Sequence, residues 1–128
     1  MMNREIKFRA LCDYDDTNGM VYFEPAKCDN GVFCMPIQNN ISHIDEYLSP
    51  LMQFTGLEDA EINGKEVWEG DIIENCDTKL LQIVYWDEQK AAWFCQYNES
   101  KRTVSLAHSL GNLNKVIGNI YENPNLLK

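Results

Sequence analysis

Acidic residues crowd the segment 58–77, and they are the first side chains of this 128-residue chain whose types and spacing suggest chemistry. Eight acids and one base, Lys65, lie within these twenty residues. The tightest pattern is the elbow Glu69-Gly70-Asp71, because two carboxylates that converge can act as acid and base or hold a divalent cation. In an extended chain, however, the two side chains lie about 7 Å apart on one side, which is no preorganised pair.

A structural interpretation of the elbow competes with the catalytic one. Asn63-Gly64 is a turn signal, and an aspartate that follows a glycine can bond to nearby backbone amides. We therefore predict that the elbow is a corner, which directs Val67 and Trp68 toward a core and starts the strand at Ile72. The carboxylate site remains the alternative, although the segment does not match the register of an EF-hand loop.

A cysteine and a histidine could form a nucleophile and its base, and Cys95 with His108 is the pair to consider. Cys95 lies within AAWFCQY, where the alternation of side chains predicts a thiol that faces the core. A reactive cysteine needs an electropositive and partly exposed setting. We predict a structural role for this thiol, and no catalytic residue is assigned.

The number and spacing of the cysteines argue against a metal site. The chain has five, which are Cys12, Cys28, Cys34, Cys76 and Cys95, and no C-x-x-C pair. His43 and His108 add no closely spaced ligand pair of the kind that zinc uses. Free, buried thiols in a reduced intracellular protein are the expectation, with no metal and no cofactor. Glycine-rich nucleotide-binding motifs are also missing from the sequence.

Aromatic residues are frequent in the second half of the chain. They could stack on single-stranded nucleic acid, but such platforms need basic neighbours, and Asp87, Glu88 and Glu99 border them instead. Cross-strand pairs in a core are their ordinary role, with one or two exposed as anchors for a protein partner. The predicted interaction surface consists of Trp68, Glu69, Asp71, Trp86, Trp93 and Tyr121.

The net charge of −9, from 20 acids and 11 bases, opposes broad binding to nucleic acid or to anionic lipid. Lys101-Arg102 is the only pair of adjacent bases in the sequence. No segment approaches the roughly 20 apolar residues of a membrane span, and the charged N-terminus does not resemble a signal peptide. We expect a cytoplasmic protein that does not bind membranes.

Short apolar runs separated by turn signals predict the elements that must position these residues. Residues 6–10 and 20–23 should form an N-terminal hairpin that turns at Asn18-Gly19, and residues 32–35 a further strand. Strands are also expected at 51–55, 71–74, 79–86, 91–97 and 116–121. Residues 44–48 could form a helical turn or an extended connection, and residues 104–113 a helical turn or an irregular crossing. The isolated glycines at 111 and 118 are expected to mark turns or bulges.

This pattern predicts a mainly β fold: a small SH3-like or coiled β-barrel with an added N-terminal hairpin layer and at most short helical turns. Without a linker or an internal repeat, residues 1–128 read as one domain. Its hairpin region covers about 1–50, and its barrel-like region about 51–123.

Three blocks of sequence resemble one family. REIKFRA (4–10), LMQFTGL with NGKEVWEGDII (51–57 and 63–73) and VIGNIYENPNLL (116–127) are similar to the YopX family of small phage and prophage proteins. The resemblance implies a phage or prophage origin, a bacterial cytoplasmic setting and a mainly β fold. It implies no activity and no site residues, because none is established for the family.

These observations favour a non-enzymatic accessory protein that binds another protein, from phage or host. A nucleic-acid-associated β-barrel is the alternative, and an enzyme that uses the 58–77 carboxylates or a metal is a third hypothesis. Because exposed sheet edges need protection, a homo-oligomer is also expected.

Overall fold

The computed structural model describes residues 5–15, 17–28, 31–36, 44–59 and 64–128. Eleven strands and two short helical segments occur in this part of the chain. They are β1 (Phe8–Tyr14), β2 (Thr17–Cys28), β3 (Gly31–Pro36), β4 (Ile44–Tyr47), β5 (Met52–Glu58), β6 (Glu66–Trp68), β7 (Asp71–Asn75), β8 (Leu81–Asp87), β9 (Ala92–Tyr97), β10 (Thr103–Ser105), helix α1 (Leu106–Leu110), β11 (Asn114–Asn119) and a 3₁₀ helix (Pro124–Leu127).

The chain divides into two compact units, Met1–Phe54 and Thr55–Lys128, which we call unit 1 and unit 2. The division falls within β5. The sequence placed its own subdivision near residue 51, and the count of one domain stays a prediction.

In unit 1, β1 pairs antiparallel with β2, which pairs with β3. The predicted N-terminal hairpin is therefore confirmed, but the predicted turn is wrong. Tyr14 pairs with Thr17, so the chain reverses between these two residues. Asn18 and Gly19 therefore lie within β2, opposite Asp13 and Cys12. The observed register places Ala10 opposite Val21, both fully buried. Burial of matched apolar side chains thus outweighs the turn preference of Asn-Gly.

Residues 44–47 form strand β4, which pairs with β1, so the helical turn considered for this segment is wrong. The Leu11 carbonyl oxygen accepts the Leu48 N–H at 2.7 Å, and the Leu11 N–H donates to Ser49 Oγ at 2.9 Å. The start of β5 pairs with β1 through Gln53 and Met52. The core of unit 1 lies on one face of its hairpin and consists of Ala10, Cys12, Val21 and Phe23.

Unit 2 is built on a five-stranded antiparallel sheet in the order β10-β9-β8-β7-β11. Its core receives a residue from each of β6, β7, β8, β9, α1 and β11: Val67, Ile73, Val84, Cys95, Leu106 and Val116. Val84 of β8 faces this core, and burial alternates along the strand from Leu81 to Tyr85, which confirms the strand predicted at 79–86. The predicted strands at 71–74, 91–97 and 116–121 are also confirmed, with shifts of a few residues at their ends.

Helix α1 covers the sheet of unit 2 with a single turn. Ser105 caps it, because its Oγ accepts the His108 N–H at 3.2 Å, and the helix ends at Gly111. Strand β11 pairs with β7, and the register of this pairing shifts between Val116 and Gly118, as expected for a bulge. The predicted roles of both glycines are confirmed.

The fold is mainly β, with a sheet curled into a half-barrel and one short helix, as the sequence predicted. No helix in the described part of the chain is long and apolar enough to cross a membrane.

Candidate functional site

The elbow between β6 and β7 is a structural corner. The Asp71 carboxylate accepts the Trp68 N–H at 2.7 Å, and both residues are only 2% exposed. Gly70 has a φ of 85°, a left-handed conformation that favours glycine. Its N–H donates to the Val84 carbonyl at 2.9 Å, and its carbonyl accepts the Ile120 N–H at 2.9 Å. The elbow is thus fixed by two neighbouring segments, which confirms the structural interpretation.

Asp59 is a second internal carboxylate, which sequence reasoning counted only among the acids of a polar loop. It is 1% exposed. Its Oδ1 accepts the Lys65 N–H at 2.5 Å, and its Oδ2 accepts the Val116 N–H at 2.9 Å. Both oxygens are therefore occupied by backbone donors that join the β5–β6 connection to β11. Of the segment's acids, Asp59 and Asp71 thus serve the fold. Within the described residues, no group of three His, Cys, Asp or Glu side chains could hold a metal ion.

Cys95 and His108 do not form a nucleophile and base. Cys95 is fully buried, as its sequence context predicted, and His108 is exposed. Burial raises the pKa of the Cys95 thiol to about 12, although a hydrogen bond with the Ser109 side chain acts in the opposite direction. The thiol is therefore protonated at neutral pH, when a nucleophile would need to be a thiolate.

The six residues of the predicted interaction surface fall into three pairs. Trp68 and Asp71 are hydrogen-bonded within the elbow and buried, so their assignment to a surface is wrong. Glu69 and Tyr121 interact electrostatically. Burial, and secondly the negative charge of Glu69, raise the pKa of the Tyr121 phenol. Trp86 and Trp93 form the third pair, and Trp86 is the one exposed residue of the six.

Trp86 and Trp93 face each other across β8 and β9, at the hairpin end of the sheet of unit 2. Their ring centroids lie 5.1 Å apart with planes at 70°, the edge-to-face geometry that aromatic pairs favour. Trp93 packs against the core, whereas Trp86 is 40% exposed. The Trp93 indole N–H is buried and has no hydrogen-bond partner in the described part of the chain. The exposed ring of Trp86 therefore packs against the half-buried ring of Trp93.

A polar cavity lies at the other end of β8, and sequence reasoning missed it. Gln82, Ser109 and Asn114 line it, each at most 2% exposed. The Ser109 hydroxyl lies 2.6 Å from Gln82 Oε1, and Asn114 Nδ2 donates to the Ser109 carbonyl at 2.6 Å. The sequence did hold one signal. Gln82 interrupts an apolar strand at a position in phase with core-facing Val84, and a buried polar side chain needs partners.

The rim of this cavity carries positive charge in an acidic chain. Arg102 is exposed and Tyr97 is half-buried, and the two residues also line a neighbouring cavity together with Lys79. The turn after β9 brings Arg102 beside Tyr97, because the Tyr97 N–H donates to the Arg102 carbonyl at 2.8 Å. Of the two adjacent bases noted in the sequence, Arg102 therefore lies on the rim of this cavity.

Comparisons with known proteins agree with this architecture. A family model described as YopX protein matches residues 7–128. The crystal structure of protein EF1440 from Enterococcus faecalis is similar, with a TM-score of 0.54 and 23% sequence identity, over 98% of this chain and 100% of that chain. At this identity the likeness shows the fold alone. No curated protein matches the chain.

Proposed function

The chain belongs to the YopX family, and from that premise we propose that it is a phage- or prophage-derived accessory protein that acts without catalysis, by binding another protein. The bacterial cytoplasm is its proposed compartment. The observation that carries the proposal is the pair Trp86 and Trp93, in which an exposed indole is supported by a half-buried one.

Tryptophan is enriched among the residues that dominate binding energy at protein interfaces, particularly where the ring is already immobilised. The T-shaped contact with Trp93 restricts the Trp86 side chain before any partner arrives. Less rotational freedom is then lost on binding, which favours affinity. The pair therefore has the properties of a binding anchor.

The surroundings of Trp86 indicate the kind of partner. Asp87 and Glu88 follow it directly, and Glu88 is exposed. A partner surface that combines apolar with basic side chains would complement a tryptophan bordered by carboxylates.

Co-purification from bacterial cells tests this proposal. We expect the tagged protein to recover one specific partner, and Trp86→Ala to lose it while the chain stays folded, because the ring is 40% exposed and lies outside the core cluster. Leu126→Ala is the matched control, since that side chain is 38% exposed, in the same unit, and should retain the partner. Recovery of the partner by Trp86→Ala, or turnover of a small molecule by a chain that recovers no partner, would contradict the proposal.

The nucleic-acid alternative receives less support from the positions of the basic residues. In unit 1, Arg9 is only 8% exposed, and Lys7 forms an ion pair with Glu5 at 3.1 Å. The exposed bases of unit 2 are Lys65, Lys79, Lys90, Lys101, Arg102 and Lys128, in a chain with 20 acids and 11 bases. A gel shift that is absent at physiological salt is the expected result.

A further inference from the structure

The polar cavity of unit 2 has the composition of a ligand site that no part of the proposed function uses. Its volume is about 410 Å³, within the range of pockets that hold small organic ligands. Its buried lining consists of hydrogen-bonding side chains, Gln82, Ser109 and Asn114, at the start of β8, in α1 and at the start of β11. Polar groups that are buried at a cavity wall, rather than exposed on a loop, are held in fixed positions.

Asn114 presents an acceptor with no partner. Its Nδ2 donates to the Ser109 carbonyl at 2.6 Å and to Ser109 Oγ at 3.1 Å, which fixes the orientation of the amide. The Oδ1 atom on the other branch is buried and has no hydrogen-bond partner in the described part of the chain. Buried carbonyl oxygens are almost always satisfied, so the lining lacks a donor at Asn114, and a ligand that reaches this atom would supply it.

The rim adds an aromatic ring and one cation, and a second cation lines the neighbouring cavity. Tyr97 and Arg102 line this cavity and the neighbouring one of about 430 Å³, which Lys79 also lines. Neither Arg102 nor Lys79 forms an ion pair with a described residue, although Glu99 lines the same neighbouring cavity. An arginine that is not engaged by a carboxylate is available for phosphate, which it binds through two parallel N–H donors.

We propose that this cavity and the neighbouring one, which share Tyr97 and Arg102, together bind a small organic anion of the nucleoside monophosphate class. Arg102 and Lys79 hold the phosphate, Tyr97 stacks against the base, and an exocyclic amino group donates to Asn114. An aromatic side chain offers this stacking to any base, while the buried amide selects bases with an N–H donor. A free mononucleotide is favoured over a nucleic-acid chain, because the net charge of −9 opposes a long phosphate backbone.

This site is separate from the proposed protein-binding anchor. Gln82 and Trp86 lie on the same strand four residues apart, which places their backbones about 13 Å apart. Each end of β8 can therefore be tested without altering the other.

Titration of the full chain with adenosine 5′-monophosphate, followed by NMR of the backbone and side-chain amides, tests the inference. We expect shifts centred on the Asn114 and Gln82 side-chain amides and on residues 97–102. Inorganic phosphate and purine riboside 5′-monophosphate, which lacks the exocyclic amino group, should each bind more weakly by about tenfold or more.

Arg102→Gln should weaken the binding of adenosine 5′-monophosphate by about tenfold. Its matched control is Lys65→Gln, which removes an exposed cation that does not line the cavity and should leave the affinity unchanged. The inference is overturned if the nucleotide causes no shifts, if the shifts lie elsewhere, if phosphate binds as tightly as the nucleotide, or if Arg102→Gln has no effect. Because Arg102 is exposed, loss of the fold does not confuse the result.

Discussion

The two units of this chain differ in how their cores are assembled. In unit 1, the four buried residues of the apolar cluster come from one hairpin, and two of them, Ala10 and Cys12, are small. In unit 2, six elements each contribute one residue to a single core. A core assembled from distant segments holds all of them in place at once, whereas a core on one hairpin depends more on strand pairing.

Buried polar groups widen the difference. Those of unit 2 are Thr55, Asp59, Asp71, Gln82, Ser109, Asn114 and Asn119, whereas Arg9 is the one found among the described residues of unit 1. Asp59 and Asp71 accept backbone N–H groups, so they specify where the chain turns. We infer that unit 2 is the more stable and more uniquely ordered unit, and that this rigidity is what both proposed sites require.

Removal of the Asp59 carboxylate is the most direct test of whether buried polar groups stabilise unit 2. We expect Asp59→Ala to lower the free energy of unfolding by about 3–4 kcal/mol, because the buried N–H group of Val116 and the part-buried N–H group of Lys65 lose their acceptor. Denaturant titration measures the change. Asp77→Ala, at an exposed acid of the same unit, should change it by less than about 0.5 kcal/mol. Equal effects of the two substitutions would refute the role of Asp59.

Substitutions that create a cavity in each core compare the stabilities of the two units. Leu106→Ala should destabilise unit 2 by about 3 kcal/mol, and Val21→Ala should destabilise unit 1 by about 2 kcal/mol. Native-state hydrogen exchange resolves the two units. Val21→Ala is expected to accelerate exchange in β1 and β2 and to leave β7, β8 and β9 protected. If it accelerates exchange equally in all of them, the units unfold as one and the proposed difference in stability is wrong.

Each core also contains a buried thiol, and alkaline pH distinguishes them. Burial raises the pKa of both Cys12 and Cys95, but only that of Cys95 to about 12 from an ordinary value of 9.0. Above pH 9 the unfolded chain releases this proton while the folded chain retains it. Stability should therefore fall by as much as about 1.4 kcal/mol per pH unit between pH 9 and pH 12, beyond the losses from other groups.

The Cys95 contribution is the part of this alkaline decline that Cys95→Ala removes. Cys76→Ala is the control, since it deletes a half-buried thiol outside the core. Denaturation midpoints at several pH values above 9 give both slopes. A Cys95→Ala variant with the same slope as the unaltered chain would show that this thiol does not titrate as its burial requires.

The smallest expected effect concerns the pair Glu69 and Tyr121 beside the elbow. Glu69→Gln removes a negative charge that disfavours the phenolate, so the pKa of Tyr121 should fall. It should remain above its ordinary value, because burial is the larger cause. Absorbance titration of the phenol measures the change, and Glu88→Gln, at an exposed acid on another turn, should produce none. A pKa that does not move would place the two groups further apart than the structure does.

Much of the fold could be predicted from the sequence because alternation of side chains is a strong and local signal. Strands β8 and β9 were predicted in this way. The burial of Cys95 in β9 was predicted from the same alternation. The elbow was predictable for a related reason. A glycine followed by an aspartate has few stable conformations at the entrance to an apolar strand.

What the sequence could not determine depends on partners far along the chain. The N-terminal turn was misplaced because Asn18-Gly19 is a strong local signal, while the register that prevails is set by pairing of Ala10 with Val21. Asp59 looked like any loop acid, since nothing near it indicates that it bonds to Val116. The cavity was missed for the same reason, because β8, α1 and β11 bring its three buried polar residues together.

The bond from the Val116 N–H to Asp59 joins residues 57 positions apart. During synthesis, Asp59 leaves the ribosome long before β11 exists, and its carboxylate stays hydrated until the last strand arrives. The final strand is thus what buries the Asp59 carboxylate. Unit 2 therefore cannot complete its folding while β11 is missing from the sheet. A chain that stops before residue 116 should therefore remain susceptible to proteolysis, because folding of the whole unit requires β11.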